Sequence, residues 1–116
     1  MIRRKDELNV VQMEGLKGGT GVTELRHILA AEELGKTGRL FAHMVVHPGD
    51  SIGYHKHEGE YEVYYILDGT ATLTQDGEVY ELHSGDVAIC PPGSSHGVEN
   101  CSDKDLHFMA AIFFTI

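Results

Sequence analysis

From residue 39 onward the chain never runs far before a turn signal stops it. RLFAHMVV (39–46) closes on His47-Pro48-Gly49-Asp50, VYYILDG (63–69) closes on Asp68-Gly69, and TATLTQDGEVYEL (70–82) alternates about Asp76-Gly77. DVAICPPGSSHGVEN (86–100) carries Pro91, Pro92 and Gly93 at its middle, and LHFMAAIFFTI (106–116) is apolar at nearly every position. Pro fixes φ and Gly supplies positive φ, so these clusters reverse the backbone, while the β-branched and aromatic residues between them favour extended chain. Short strands with turns every 8–12 residues or so leave an all-β sandwich or barrel as the fold class. Hairpins are expected at Asp76-Gly77 and across Pro91–Ser94, and AAEELGK (30–36) suggests a turn or two of helix. HPGDSI (47–52) and HSGDVA (83–88) stand 36 residues apart, a faint repeat that suits a barrel made from two similar sets of strands. Such a barrel has room inside for one small ligand.

At 116 residues, 41% apolar and 23% charged, the chain is expected to form one domain with a modest core. Residues 1–38 read as an N-terminal arm and flanking strand of that domain, and residues 39–116 as its barrel core. The net charge of −9 argues against nucleic acid as a partner, because neutralising phosphates needs clustered Lys and Arg. Nothing in the sequence approaches the roughly 20 apolar residues of a membrane span, and the charged start MIRRKDELNV has no apolar stretch behind it, so a cytoplasmic protein is expected. Across a 91–94 hairpin, Cys90 and Cys101 would lie roughly 13 Å apart at ~3.3 Å per residue, too far for a disulfide, and free thiols are expected. The glycine-rich EGLKGGTGV (14–22) lacks a strand-loop-helix setting and reads as a mobile loop. Gly35-Lys36-Thr37 ends like a phosphate-binding loop, but Ala30 stands where its first glycine is required.

The chemistry is concentrated in YHKHEGEYEVYYILDG (54–69). Residues two apart on a strand share a face, so His55 and His57 point together. Glu62 can open the next strand on the same side, with Tyr64 following it. Two imidazoles and a carboxylate suit a borderline divalent metal, and His96, aimed by the Pro-Pro-Gly turn, is the natural fourth donor.

These residues resemble the two motifs of the cupin superfamily. The first, G-x5-H-x-H-x(3,4)-E-x6-G, is filled by Gly49, His55, His57, Glu62 and Gly69. The second, G-x5-P-x-G-x2-H-x3-N, is filled by Gly85, Pro91, Gly93, His96 and Asn100, and 15 residues separate the two. The resemblance implies a double-stranded β-helix, a jelly-roll-like barrel with a metal held inside by His55, His57, Glu62 and His96. None of these four is replaced, as happens in cupins that have lost their metal. Gly49, Gly69, Gly85 and Gly93 are expected at turns with positive φ. Asn100 reads as a hydrogen-bonding strand-end residue, not a ligand.

Three histidines and one carboxylate leave positions for water or substrate, the mark of a working site as against a closed structural one. The expected function is that of a divalent-metal cupin acting on a small organic metabolite, as a dioxygenase, isomerase, lyase or decarboxylase. Iron, manganese, zinc or nickel would all suit the ligands. The alternatives are a metal-dependent module that binds or senses a small molecule without chemistry, and a barrel that the metal merely staples. His43 and Tyr64 are the candidate catalytic residues, His43 if its strand turns it inward and Tyr64 through a hydroxyl on Glu62's face; each has a plain structural reading beside it. His107 has the same ambiguity as His43, and Tyr54 should point away. His27, His47 and His83 read as surface residues. No arginine falls within either motif, although Arg26 or Arg39 could reach the mouth from flanking strands. Because 106–116 is apolar on both strand faces, a homodimer is expected.

Overall fold

The computed structural model describes residues 1–115 and consists of two antiparallel sheets closed on one core. The strands are β1 (Asn9–Glu14), β2 (Val22–Leu29), β3 (Gly38–Val46), β4 (Ser51–Lys56) and β5 (Glu60–Asp68), followed by β6 (Ala71–Gln75), β7 (Glu78–Leu82), β8 (Val87–Cys90), β9 (Ser95–Glu99) and β10 (Leu106–Phe114). The one α-helix, α1 (Ala31–Leu34), is the single turn expected near residue 30. Six strands form one sheet in the order β1-β2-β3-β10-β5-β8, and four form the other in the order β4-β9-β6-β7. This is the double-stranded β-helix. Ile116, the last residue of the apolar C-terminal stretch, lies outside the described residues.

Alternation decides which side chains enter the core. Ala42, Met44, Tyr64, Ile66, Phe108 and Ala110 from the larger sheet meet Ile52, Leu73 and Val98 from the smaller one. Phe108 is fully buried, and covering a side chain of its size contributes ~2–3 kcal/mol. The opposite face of the larger sheet carries Phe41, His43, Val63, Tyr65, Val87, Ile89 and Met109, paired rung by rung across β3, β10, β5 and β8. Tyr65, Val87 and Ile89 there are 47%, 55% and 55% exposed.

The Asp76-Gly77 hairpin forms as expected, with Gln75 opposite Glu78 and both turn residues at positive φ. The hairpin expected over 86–100 does not form. β8 pairs with β5 in the larger sheet and β9 lies between β4 and β6 in the smaller, so Pro91–Ser94 is a crossing between sheets. A turn sequence reverses or redirects a strand equally well, and the pairing partner is chosen by distant residues. Both cysteines are free, Cys90 buried and Cys101 exposed. EGLKGGTGV also differs from expectation. It contains a 3-10 turn at Leu16–Gly18, and it is tied down by hydrogen bonds from Gly15 N to Gly21 O and from Ser51 N to Thr20 O, both 2.9 Å.

Gly49, Gly69, Gly85 and Gly93 have φ of 83°, 87°, 92° and 87°. At Gly69 the requirement is twofold, since a Cβ would also lie 2.6 Å from the Asp105 carbonyl oxygen. Asn100 is the strand-end residue expected. Its Nδ2 donates to the carbonyls of Val46 (2.9 Å) and Lys104 (2.6 Å), and its Oδ1 accepts from Ser102 N and Oγ. It is 1% exposed, so Asn100→Ala would strand the buried Val46 carbonyl and free the loop it organises. The expected loss is about 2–3 kcal/mol, or roughly 10 °C in Tm, measured by calorimetry.

Candidate metal centre

Two irregularities in the sheets build the site. Ile52 pairs with Val98 and His55 with His96, so β4 has one more residue than β9 between these rungs. That bulge changes the parity of β4 and places His55 on the inner face with Ile52, where regular alternation would have turned it outward. The second lies beside β10, where Leu40 opposes Ile112 but Gly38 opposes Phe113. Arg39 is the extra residue, and it lines the same cavity as Leu40. Beyond β4, His57 is fixed by backbone bonds to the crossing turn, from His57 N to Ser94 O and from Gly93 N to His57 O.

These elements bring His55, His57, Glu62 and His96 together, with one donor atom of each lying within 4.8 Å of the others. His57 Nε2 is 3.0 Å from His55 Nε2, 3.1 Å from His96 Nε2 and 3.1 Å from Glu62 Oε1, while His96 Nε2 is 2.9 Å from Glu62 Oε1. Donors ~2.1 Å from one ion lie ~3.0 Å apart at right angles and ~3.4 Å apart in a tetrahedron. These four spacings lie near the first value, and with every donor within 4.8 Å of the others the set is of a size to hold one divalent transition ion.

The outer hydrogen bonds point the imidazoles the same way. His57 Nδ1 donates to Glu60 Oε2 at 2.5 Å and His55 Nδ1 donates to the Gly53 carbonyl at 2.6 Å, leaving each Nε2 lone pair facing the cluster. His96 Nδ1 is buried without a partner. Tyr64 stacks on the His96 ring, with centroids 5.0 Å apart and planes 16° from parallel. Burial, then the charge of Glu62 and a hydrogen bond to its carboxylate, raises the Tyr64 hydroxyl well above its usual range. The pKa of His57 is raised, first by its bond to Glu62, whereas burial lowers that of His55. Burial alone would raise the Glu62 carboxyl, but the hydrogen bonds from His57 and His96 outweigh it and hold it low.

Glu60, which the sequence did not single out, links His57 to Arg39, one of the two arginines expected to be able to reach the mouth. Arg39 donates to both Glu60 oxygens at 2.7 Å, and Glu60 in turn accepts from His57. The alternation EYE, which puts Glu60 on Glu62's face, was the available signal; the inward turn of Arg39 depends on the bulge. The Arg39 guanidinium is the main reason the Glu60 carboxyl is held at about 2, against 4.5 ordinarily. The stability this contributes is full above pH ~4.5 and lost as pH falls toward 2. Arg39→Gln should therefore move the acid-unfolding limb to higher pH. With Arg39 42% exposed, the loss at pH 7 is expected to be only ~1 kcal/mol, read from denaturant titrations at several pH values.

His43 lies on the outer face of the larger sheet, its Nε2 2.9 Å from His107 Nδ1, so it is not oriented toward the cluster as a general base would require. Tyr64 does face inward, 3% exposed. Tyr54 is 54% exposed, and His47 and His83 are surface residues, paired with Asp105 and Glu81. Arg26 is bonded to Glu24 and does not reach the cavity. The cavity itself is about 110 Å³ and is lined by Leu25, Leu40, Met44, Ile52 and Ile112, with Lys17 and Arg39 also among its lining residues.

A family model for the cupin domain matches residues 42–112, which contain all four donors. The chain belongs to the cupin family. It is 40% identical over 112 residues to the "oxalate-binding protein" of Thermotoga maritima, covering 97% of this chain and 93% of that cupin. The crystal structure of a predicted oxalate decarboxylase from Thermotoga maritima superposes with a TM-score of 0.93 at 39% identity, covering 99% of this cupin and 100% of the other. A shorter match, 46% identical over 48 residues, relates this cupin to quercetin 2,3-dioxygenase of Bacillus subtilis, over 41% of this chain and 14% of that enzyme.

Proposed function

We propose that this cupin binds one divalent transition metal through His55, His57, Glu62 and His96 and uses it to act on a small organic acid of the oxalate class. The observation that carries the reading is the convergence of three Nε2 atoms and one carboxylate oxygen, with His55, His57 and Glu62 also lining a small cavity. Ligand sites for drug-sized molecules occupy roughly 300–1,000 Å³, so a space of about 110 Å³ favours a metabolite of few heavy atoms. The relationship to a protein named for oxalate supports the same class. A bound ion would supply Lewis acidity toward a carboxylate or, if iron or manganese, electron transfer. The chain's own part is to hold the donors, with Glu60 orienting His57 and Tyr64 backing the His96 ring, while the aliphatic walls exclude water.

Binding without turnover is the second reading. It is favoured by the shortage of free polar groups beside the donors, where Arg39 is committed to Glu60, Tyr64 is stacked on His96, and His43 faces away. Metal-loaded protein incubated with oxalate, followed for product and for thermal shift, separates the two. A shift with product supports the enzyme and a shift without product supports the binding module. No shift with oxalate or other small acids would contradict both.

The proposed partners are this small ligand and a second copy of the chain, in the cytoplasm; the charge of −9 speaks against nucleic acid. Among the described residues no helix is long and apolar enough to cross a membrane. The second copy would cover the outer face around Tyr65, Val87 and Ile89. Sedimentation should give a dimer at micromolar concentration for the wild type, and a monomer for Val87→Glu combined with Ile89→Glu.

A further inference from the structure

Two basic residues are among those lining the cavity, and Arg39 is the one already committed. Arg39 is held on both oxygens of Glu60. Lys17 lines the same cavity, is exposed, and makes no ion pair among the described residues.

The backbone at Lys17 is unusual. It sits at φ 55° and ψ 29°, in the left-handed region, where a side chain with a Cβ is disfavoured. The other non-glycine residue with positive φ is Asp76, in a hairpin turn of the kind that tolerates Asp. Flanking Lys17, Gly15 and Gly18 adopt the same region without cost, at φ 62° and 81°. The segment is seated firmly: Gly18 N bonds Gly15 O and Gly19 N bonds Leu16 O, both at 2.9 Å. It also lies so close to β4 that a Cβ on Gly53 would collide with the Lys17 carbonyl oxygen, and a Cβ on Gly19 with the Ser51 carbonyl oxygen. The fold thus holds a lysine where glycine would be the relaxed choice, with that lysine among the residues lining the cavity.

We infer that Lys17 is the specificity-determining residue of this cavity, its ammonium reading the second negative charge of a small dianion. This rests on the reading that the cavity takes a small acid at a metal. The charges support it. A divalent ion and the Glu62 carboxylate together leave one positive charge, Glu60 and Arg39 cancel, and Lys17 brings the total to two. A dianion such as a short dicarboxylate is the matching ligand, and a monoanion would leave Lys17 unanswered. Strain kept at a residue lining a cavity is the pattern expected where function, not stability, selects the side chain.

The test uses the full chain loaded with cobalt(II), titrated with oxalate, oxamate and azide and followed in the visible spectrum of the ion. Lys17→Gly should keep one cobalt per chain and unfold at the same temperature or higher, because glycine relieves the left-handed strain. It should bind oxalate about tenfold more weakly, oxamate and azide with smaller losses, while Lys17→Arg stays near wild type. Equal oxalate affinity in wild type and Lys17→Gly overturns the inference while leaving the metal site intact, as does a loss for Lys17→Arg equal to that for glycine. If the wild type binds azide but not oxalate, the small-acid reading falls and the dianion inference falls with it. If cobalt is not taken up, the metal reading itself is overturned.

Discussion

His96→Ala is expected to lose metal affinity by at least a hundredfold and to lose every ligand-induced thermal shift with it. His96 is 1% exposed and stands 2.9 Å from the Glu62 oxygen and 3.1 Å from His57 Nε2, so alanine removes one of four donors. Losing only an outer partner of a metal ligand typically costs ~10–100-fold, and losing the ligand itself should exceed that. The substitution also opens space beside Tyr64, which stacks on the imidazole, and should lower the stability of the metal-free protein by roughly 2–3 kcal/mol. The variant should still fold, because the core around Phe108 and Ile66 is untouched. His43→Ala is the matched control: it removes an imidazole from the outer face and should leave metal binding unchanged. Competition against a chelator of known affinity measures both. A His96→Ala protein with wild-type affinity would contradict the ligand set.

The second large effect is the release of metal on acidification. In the metal-free protein, the hydrogen bond to Glu62, with that to Glu60, raises the pKa of His57. The stability contributed by protonated His57 is full below the ordinary value near 6.5 and is lost as pH rises through the raised value. Metal binding needs this imidazole neutral, so the proton that stabilises the empty site is the one the ion must displace. His55 behaves oppositely. Burial lowers its pKa, so it stays neutral and adds stability above pH ~6.5 that is progressively lost below. Metal affinity should therefore fall about tenfold for each pH unit below the raised value of His57, with His55 adding a second proton further into acid. Calorimetric titration in two buffers of different ionisation enthalpy should show proton release on metal binding that grows as pH is lowered from 7. An affinity independent of pH between 7 and 5 would contradict the assignment.

Much of this was legible in the sequence because turns and donors are local. The Pro and Gly clusters marked strand ends, and the H-x-H pair with Glu62 and Tyr64 marked one face of two strands. Connectivity was not legible. Pro91–Ser94 carries the signals of a hairpin yet moves the chain between sheets, because β8 finds its partner in β5 and β9 finds its own in β4 and β6. The site depends equally on two bulges that no local pattern announces, one returning His55 to the inner face and one turning Arg39 toward Glu60. His43 illustrates the same limit. One residue of parity separates the cavity, where Met44 lies, from the outer face where His43 meets His107. Glycine-rich composition suggested motion at 14–22, whereas the glycines there permit close backbone contact with β4.

We propose that the cluster of three imidazoles and one carboxylate is a metal site in the working protein. Elemental mass spectrometry on tag-free protein, expressed without added metal, tests it most directly. The expected result is about one transition-metal ion per chain, falling close to zero in His96→Ala. Wild-type protein that carries no metal, and takes none up after incubation with iron, manganese, zinc, cobalt or nickel, would contradict the claim.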